Sequence, residues 1–311
     1  MVKVYLLLFS GLLLLFASGK YLVESSIVIS QRLRIPRMII GLTVVAFGTS
    51  APELLVSIQA AFSGFPEIAM GNVVGSNISN ILLVLAITAI IFPIPVPSTS
   101  VKRDWPIMMF VSLLLFVFAL NGWLTRLEGI IFLLLLMGYI GYSVARTRGV
   151  HRDEEVHTKQ GSMRWWIAAL IFLVSCVGLA FGADLLVSNA AIVAEDLGMS
   201  KRVISITIIA VGTSIPEVST SVIAALKKET DISVGNIIGS NIMNILSVLG
   251  ITSIIRPIKV DAAIIRIDIP WMLGISVLLL LLMIPAARSR ITRWEGILMI
   301  VIYLLYIYLI L

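Results

Sequence analysis

Charge is what this chain has least of. Only 13% of its 311 residues are Asp, Glu, Lys or Arg, about half the ~25% of a soluble globular protein. Histidine is nearly lacking: His151 and His157 share one polar stretch and read as solvated. Cysteine is reduced to Cys176, which forms no intrachain disulfide and sits in an apolar run as a small core residue. What is there instead is hydrocarbon, with 59% hydrophobic residues and a mean hydropathy of +1.08. A membrane helix needs about 20 mostly apolar residues. Ten spans with short connections therefore fit, at 4–30, 38–62, 69–95, 105–121, 126–145, 165–194, 202–226, 232–255, 268–286 and 294–311. The first begins like a signal peptide, Lys3 before an apolar run, but stays apolar to Ile29 and reads as a retained helix. The expected fold class is an all-α integral membrane protein.

The net charge of +6 does not indicate nucleic acid, because the cations are sorted by side. Loops 1–2, 3–4, 5–6, 7–8 and 9–10 hold 15 of the 23 Lys and Arg, and the other side, with both termini, holds 7. The positive-inside rule then puts both termini outside and loop 146–164 in the cytoplasm. All six tryptophans (105, 123, 165, 166, 271 and 294) fall near span ends, as an aromatic belt in a lipid bilayer requires.

The chain contains one unit twice. Residues 41–96 align without a gap with 205–260, and 29 of the 56 columns are identical. Shared hydrophobicity does not produce that; duplication does. Five spans, an odd number, separate the copies, so equivalent helices cross in opposite directions. This is an inverted-topology repeat, the plan of many secondary transporters, which place substrate near the midplane on interrupted helices. The expected organisation is a first five-helix repeat at 1–145, a linker at 146–164 and a second five-helix repeat at 165–311, with broken helices at the midplane.

Both copies carry GTSxPE, at 48–53 and 212–217. Proline removes a backbone donor and opens a helix, and glycine permits unusual angles. Gly48 and Pro52 should split the helix and free carbonyls near Ala46. Ser50 and Glu53 also have the spacing of a capping box, so Glu53 could merely cap the break. Against this, a carboxylate at mid-membrane costs about 2.5–3.5 kcal/mol on insertion scales, and the chain places one there twice.

The second motif, GNxxGSNIxN, occupies 71–80 and 235–244. Asn72, Ser76 and Asn80 recur every four residues and share a helix face. Asn236, Ser240 and Asn244 repeat this. Gly71/Gly75 and Gly235/Gly239 form GxxxG, which allows close helix approach. Asn72 and Asn236 read as glue between helices. Ser76, Asn80, Ser240 and Asn244 read as ligands converging with the glutamates. With the hydroxyls of Thr49, Ser50, Thr213 and Ser214, every candidate donor is oxygen, which argues against zinc, copper or iron. An oxygen site with flexible ligand number suits calcium, shared with sodium. Glu53 and Glu217 carry −2 when ionised, and such a pair in low dielectric needs cations or protons. One calcium or several sodium ions supply the charge, so the two compete.

These paired motifs resemble the two alpha-repeats of the sodium/calcium exchanger family, within the calcium:cation antiporters. The resemblance covers 41–96 and 205–260 closely. It implies cation ligands at Ala46 (carbonyl), Thr49, Ser50, Glu53, Ser76 and Asn80, and at Ala210 (carbonyl), Thr213, Ser214, Glu217, Ser240 and Asn244. It further implies a central calcium site flanked by sodium sites, usually three sodium ions per calcium, no separate cofactor, and sliding of the first and sixth spans across the other eight. Some relatives have an aspartate where this chain has Asn80 or Asn244; two amides favour sodium coupling without potassium. The linker has no room for the large cytoplasmic domain of animal exchangers, so a prokaryotic protein working as a monomer is expected.

The rival readings are a calcium/proton exchanger of the same superfamily, with the glutamates as proton carriers, and a cation channel, against which the inverted repeats speak. An intramembrane protease using Ser50 or Ser214 lacks a histidine in any span, or a lysine partner, as base. Elsewhere, Lys20 and Glu24 have the i, i+4 spacing of an ion pair, and Asp184 lies either near the interface, the favoured reading, or along an ion path.

Overall fold

The computed structural model describes residues 2–147, 163–198, 212–284 and 290–310. Within them the chain is almost entirely helical. In order come α1 (Val2–Leu33), α2 (Arg37–Thr49), α3 (Ala51–Ser63), α4 (Glu67–Ile91), α5 (100–119) and α6 (Arg126–Thr147). Then follow α7 (Trp165–Asp196), α8 (Ile215–Leu226), α9 (Thr230–Ile255), α10 (Ile264–Met283) and α11 (Arg293–Ile310). Helices α2 and α3 form one span bent by 43°. Counted so, helical segments lie at all ten expected span positions, the seventh being described only from Gly212 on. Among the described residues, six helices are long and apolar enough to cross a membrane, seven with the bent pair. The linker lies largely outside the described residues.

The duplication is visible in the backbone. Asn80–Leu85 and Asn244–Leu249 both wind as π-turns, and so do Ser100–Asp104 and Ile264–Asp268. Each pair is offset by 164 residues (244 − 80 and 264 − 100). Two short antiparallel ribbons join the copies. Ile94–Pro95 (β1) pairs with Arg290–Ile291 (β4), and Trp123–Leu124 (β2) pairs with Ile258–Lys259 (β3). Strand β3 is the copy of β1, and β2 the counterpart of β4, so the pairings exchange under the internal two-fold. Loops 3–4 and 9–10 thus meet at one end of the molecule, and loops 4–5 and 8–9 at the other. This is the parity that inverted repeats require.

Three polar contacts tie loops 1–2, 5–6 and 7–8 to neighbouring elements. Arg32 donates to the Met163 carbonyl at 3.2 Å, joining loop 1–2 to the end of the linker. Arg37 grips both Glu229 oxygens at 2.6 and 2.5 Å, and Lys227 bonds Glu24 at 2.7 Å. Glu24 therefore pairs across to the α8 end rather than along α1 with Lys20, whose ammonium lies 5.7 Å from the centroid of the Tyr21 ring. Asp184 is exposed on α7 and accepts the Ser188 hydroxyl at 3.4 Å.

Close helix contact depends on missing side chains. A Cβ on Gly11 of α1 would lie 2.9 Å from the Leu186 backbone nitrogen of α7, and one on Gly178 would lie 2.2 Å from Ser18 Oγ. Helices α1 and α7 thus pack antiparallel, nearly backbone to backbone. The GxxxG of the second repeat does the same against α2: a Cβ on Gly239 would lie 2.5 Å from the Leu42 carbonyl. For Gly71 and Gly75 no such approach occurs among the described residues; their counterpart partners, around 202–206, lie outside them.

Candidate ion-binding site

The bend between α2 and α3 falls at Ser50, which leaves helical geometry (φ −82°, ψ 4°). Pro52, in the first turn of α3, cannot donate to the Gly48 carbonyl four residues back. The bond lost to the proline is therefore the one at the Gly48 carbonyl, not the one at Ala46. The Ala46 carbonyl accepts the Ser50 N–H at 3.0 Å, and the Thr49 hydroxyl lies 3.3 Å from it. A cation reaches this oxygen only by displacing that weak hydroxyl contact. Its counterpart Ala210 lies outside the described residues.

The capping box does not form: Ser50 makes no side-chain cap bond. Glu53 is fully buried, and neither carboxylate oxygen has a hydrogen-bond partner. Glu217, also fully buried, accepts the Ser50 hydroxyl at 3.4 Å on Oε1, while its Oε2 has no partner. Ser50, three residues before Glu53, thus brings the glutamate of the second repeat to the break in the first. The Thr49 hydroxyl stands 3.1 Å from Asn236 Oδ1 and 3.2 Å from Ser240 Oγ. Thus Thr49 and Ser50 of the first repeat meet Glu217 and Ser240 of the second.

Burial without partners marks the remaining candidates. Ser76 Oγ, both polar atoms of the Asn80 amide, Ser214 Oγ and Asn244 Oδ1 are buried and unbonded. Of 15 such atoms among the described residues, eight belong to the expected ligand set. Native interiors leave few polar atoms unsatisfied, and each calls for an explanation such as an ion. Here the unsatisfied atoms concentrate on two carboxylates and their neighbours rather than scattering. Ser76, Asn80 and Ser214 make no bond to another member of the set, and Thr213 is half-buried in the turn before α8.

Asn72 and Asn236 do bind helices together. Asn72 Nδ2 donates to the Glu53 carbonyl at 3.3 Å and to Ser57 Oγ at 3.1 Å, and Asn236 Nδ2 donates to Ser221 Oγ at 3.1 Å. They hold α4 to α3 and α9 to α8, so each glutamate-bearing helix is pinned to its ligand-bearing neighbour.

Two features escaped the motif reading. Asn77 accepts Asn244 Nδ2 at 3.1 Å and donates to the Asn241 carbonyl at 3.2 Å. It thereby holds the Asn244 amide by one N–H and leaves Oδ1 available as an oxygen ligand. Its only signal in the sequence is that Asn77 and Asn241 are identical in both repeats. The second feature is the π-turn that begins at each ligand asparagine, Asn80 and Asn244. Such turns recur at functional positions, but no proline or glycine announces these two.

Known proteins share this architecture. The family model described as sodium/calcium exchanger protein matches residues 3–145 and 167–311. The chain belongs to the sodium/calcium exchanger family. It is 41% identical to the putative antiporter CaxA of Alkalimonas amylolytica over 96% of both chains. It is 33% identical to the sodium/calcium exchanger MaX1 of Methanosarcina acetivorans over 97% of both. A solved structure of the sodium-calcium exchanger NCX_Mj, soaked with sodium and strontium, superposes with a TM-score of 0.82 at 30% identity, covering 99% of this chain and 98% of that one. Prokaryotic membership of this family, an all-α membrane fold and a transporter rather than an enzyme class agree with these relatives.

Proposed function

We propose that this protein exchanges sodium for calcium across the cell membrane by alternating access at a midplane site built on Glu53 and Glu217. The observation that carries the reading is the group of buried, unpartnered oxygens on Glu53, Glu217, Ser76, Asn80, Ser214 and Asn244. Thr49, Ser50, Thr213 and Ser240 complete the set with hydroxyls, and Ala46 and Ala210 with carbonyls. Two carboxylates in low dielectric require compensating charge. One calcium supplies +2; sodium ions supply it stepwise. Because either cargo neutralises the pair, they compete for one site, and an empty pair is costly to move, which couples the fluxes.

The glycine-lined contact of α1 with α7 supports a two-helix unit that slides against the rest of the molecule. Its boundary with the site lies at Gly48, where a Cβ would meet Cys176 and Phe172 of α7 at 2.6 and 3.0 Å. The excess of loop cations on one side supports an orientation with both termini outside and linker 146–164 in the cytoplasm. The site lies within one chain, so the protein works as a monomer in the bilayer.

A second reading keeps the site and changes the coupling ion. Glu53, with both oxygens unpartnered, has room for a proton, as a calcium/proton exchanger would need. The site itself is tested by calcium uptake into proteoliposomes under an outward sodium gradient. Glu53→Gln is expected to abolish uptake while the protein keeps its fold and melting temperature; near-normal uptake contradicts the site.

A further inference from the structure

Away from the ion site, the surface of the second repeat carries a trough of about 530 Å³ between α10 and α11. Pro270, Trp271, Gly274, Leu278 and Ile302 line it, and Arg266 stands at one end. Gly274 forms an open stretch of its floor: a Cβ there would touch nothing among the described residues within 4 Å. The first repeat has no such floor. Its residue at the position of Gly274 is Phe110 (274 − 164), whose ring is 55% exposed. One duplicated surface has thus been emptied by a glycine and the other filled by an aromatic ring.

The dimensions fit one kind of occupant. From Arg266 to Leu278 is 12 residues of helix, about 18 Å at 1.5 Å per residue. One leaflet of hydrocarbon is about 15 Å deep, half of the ~30 Å core. The trough therefore runs for roughly one acyl chain, from a cation at the head to apolar side chains below. Arg266 is exposed and makes no ion pair among the described residues. Its acidic neighbour, Asp268, is turned into the protein and accepts the Tyr306 hydroxyl at 3.0 Å. Tyr306 in turn lies against Trp271, ring centroids 5.7 Å apart, which fixes one wall. A guanidinium presents paired donors suited to a phosphate.

We infer that this trough binds one anionic glycerophospholipid, its phosphate on Arg266 and one acyl chain over Gly274. The site is independent of the ion-exchange reading, since none of its residues belongs to the ion site.

The test is native mass spectrometry of the purified chain in detergent with added phosphatidylglycerol or phosphatidylcholine of identical acyl chains. The wild-type chain should retain one phosphatidylglycerol, at about fivefold preference over phosphatidylcholine. Gly274→Phe, which restores the residue of the first repeat, should lose that adduct. Leu278→Trp should lose it too, filling the trough from its other end should the first variant fold poorly. Arg266→Gln should keep an adduct and lose the head-group preference. Equal retention by wild type and both filled variants overturns the inference. So does a wild-type dimer that Gly274→Phe dissociates without any lipid adduct, which would make the trough a contact between copies.

Discussion

At the scale of single residues, the account rests on oxygen atoms that are buried and have nothing to bond. Glu53 presents two of them. Glu53→Gln removes half the site's charge and should lower calcium transport at least about 100-fold, the scale of the ~3 kcal/mol lost when one member of a buried charge pair is removed. Asn80→Ala removes one neutral ligand and should cost roughly tenfold, on the order of a single hydrogen bond or somewhat more. Asn77→Ala touches no cation directly, but it releases the amide that aims Asn244. Supporting partners of ligands typically matter about as much as weak ligands do, so calcium affinity measured by competition should fall roughly tenfold. An unchanged affinity would show that Asn244 is held by its own helix. These roles differ in how plainly the sequence displays them. Glu53 and Ser76 stand out because a polar group in an apolar run is expensive. Asn77 does not, because its neighbours Ser76 and Asn80 carry the same chemistry and only the fold shows which amide faces which.

At the scale of elements, periodicity and parity carried the expectation well. The ten segment positions follow from apolar run lengths, the inverted relation of the copies from one duplicated stretch and an odd number of intervening spans, and the bent span from Gly48 and Pro52. The freeing of the Ala46 carbonyl from its helix bond did not follow, because proline removes the donor to the carbonyl four residues back, at Gly48, and leaves Ala46 bonded to the Ser50 N–H. The π-turns at Asn80 and Asn244 did not follow either, since an added residue within a helical turn has no composition of its own. The Lys20–Glu24 spacing pointed to a local pair, whereas tertiary packing brings Lys227 to Glu24. One element contact makes a stability prediction. Gly239→Ala forces a methyl against the Leu42 backbone at 2.5 Å and Ala46 Cβ at 2.8 Å. Overpacking of this kind costs typically 1–3 kcal/mol, so a clear drop in melting temperature in detergent is expected. No change would mean that α2 and α9 separate easily.

At the scale of the whole molecule, the two ends are not equivalent in charge. Glu24–Lys227 and Arg37–Glu229 lie at the end where loops 1–2 and 7–8 meet. Their counterparts under the 164-residue offset include Ser63, Phe65 and Ser188, which cannot pair in the same way. Glu24 rides on α1, the helix proposed to slide, while Lys227 belongs to the α8 end. Both side chains are about a third exposed, so the pair is worth at most about 1 kcal/mol. Lys227→Gln should therefore leave folding intact and shift the balance between the two access states by no more than about fivefold. Accessibility of a cysteine placed at the exposed Ser63, probed from each side, reads that shift; equal accessibility in both backgrounds would contradict a role for the pair.

The central claim, that Glu53 and Glu217 with two asparagines rather than a third acid make a sodium-coupled calcium site, has one most direct test. Calcium uptake into proteoliposomes is measured with membrane voltage clamped, once under an outward sodium gradient and once under an outward proton gradient. The account predicts uptake driven by sodium and lost in Glu53→Gln. Uptake driven by protons alone would contradict it, leaving the site in place and making the glutamates proton carriers.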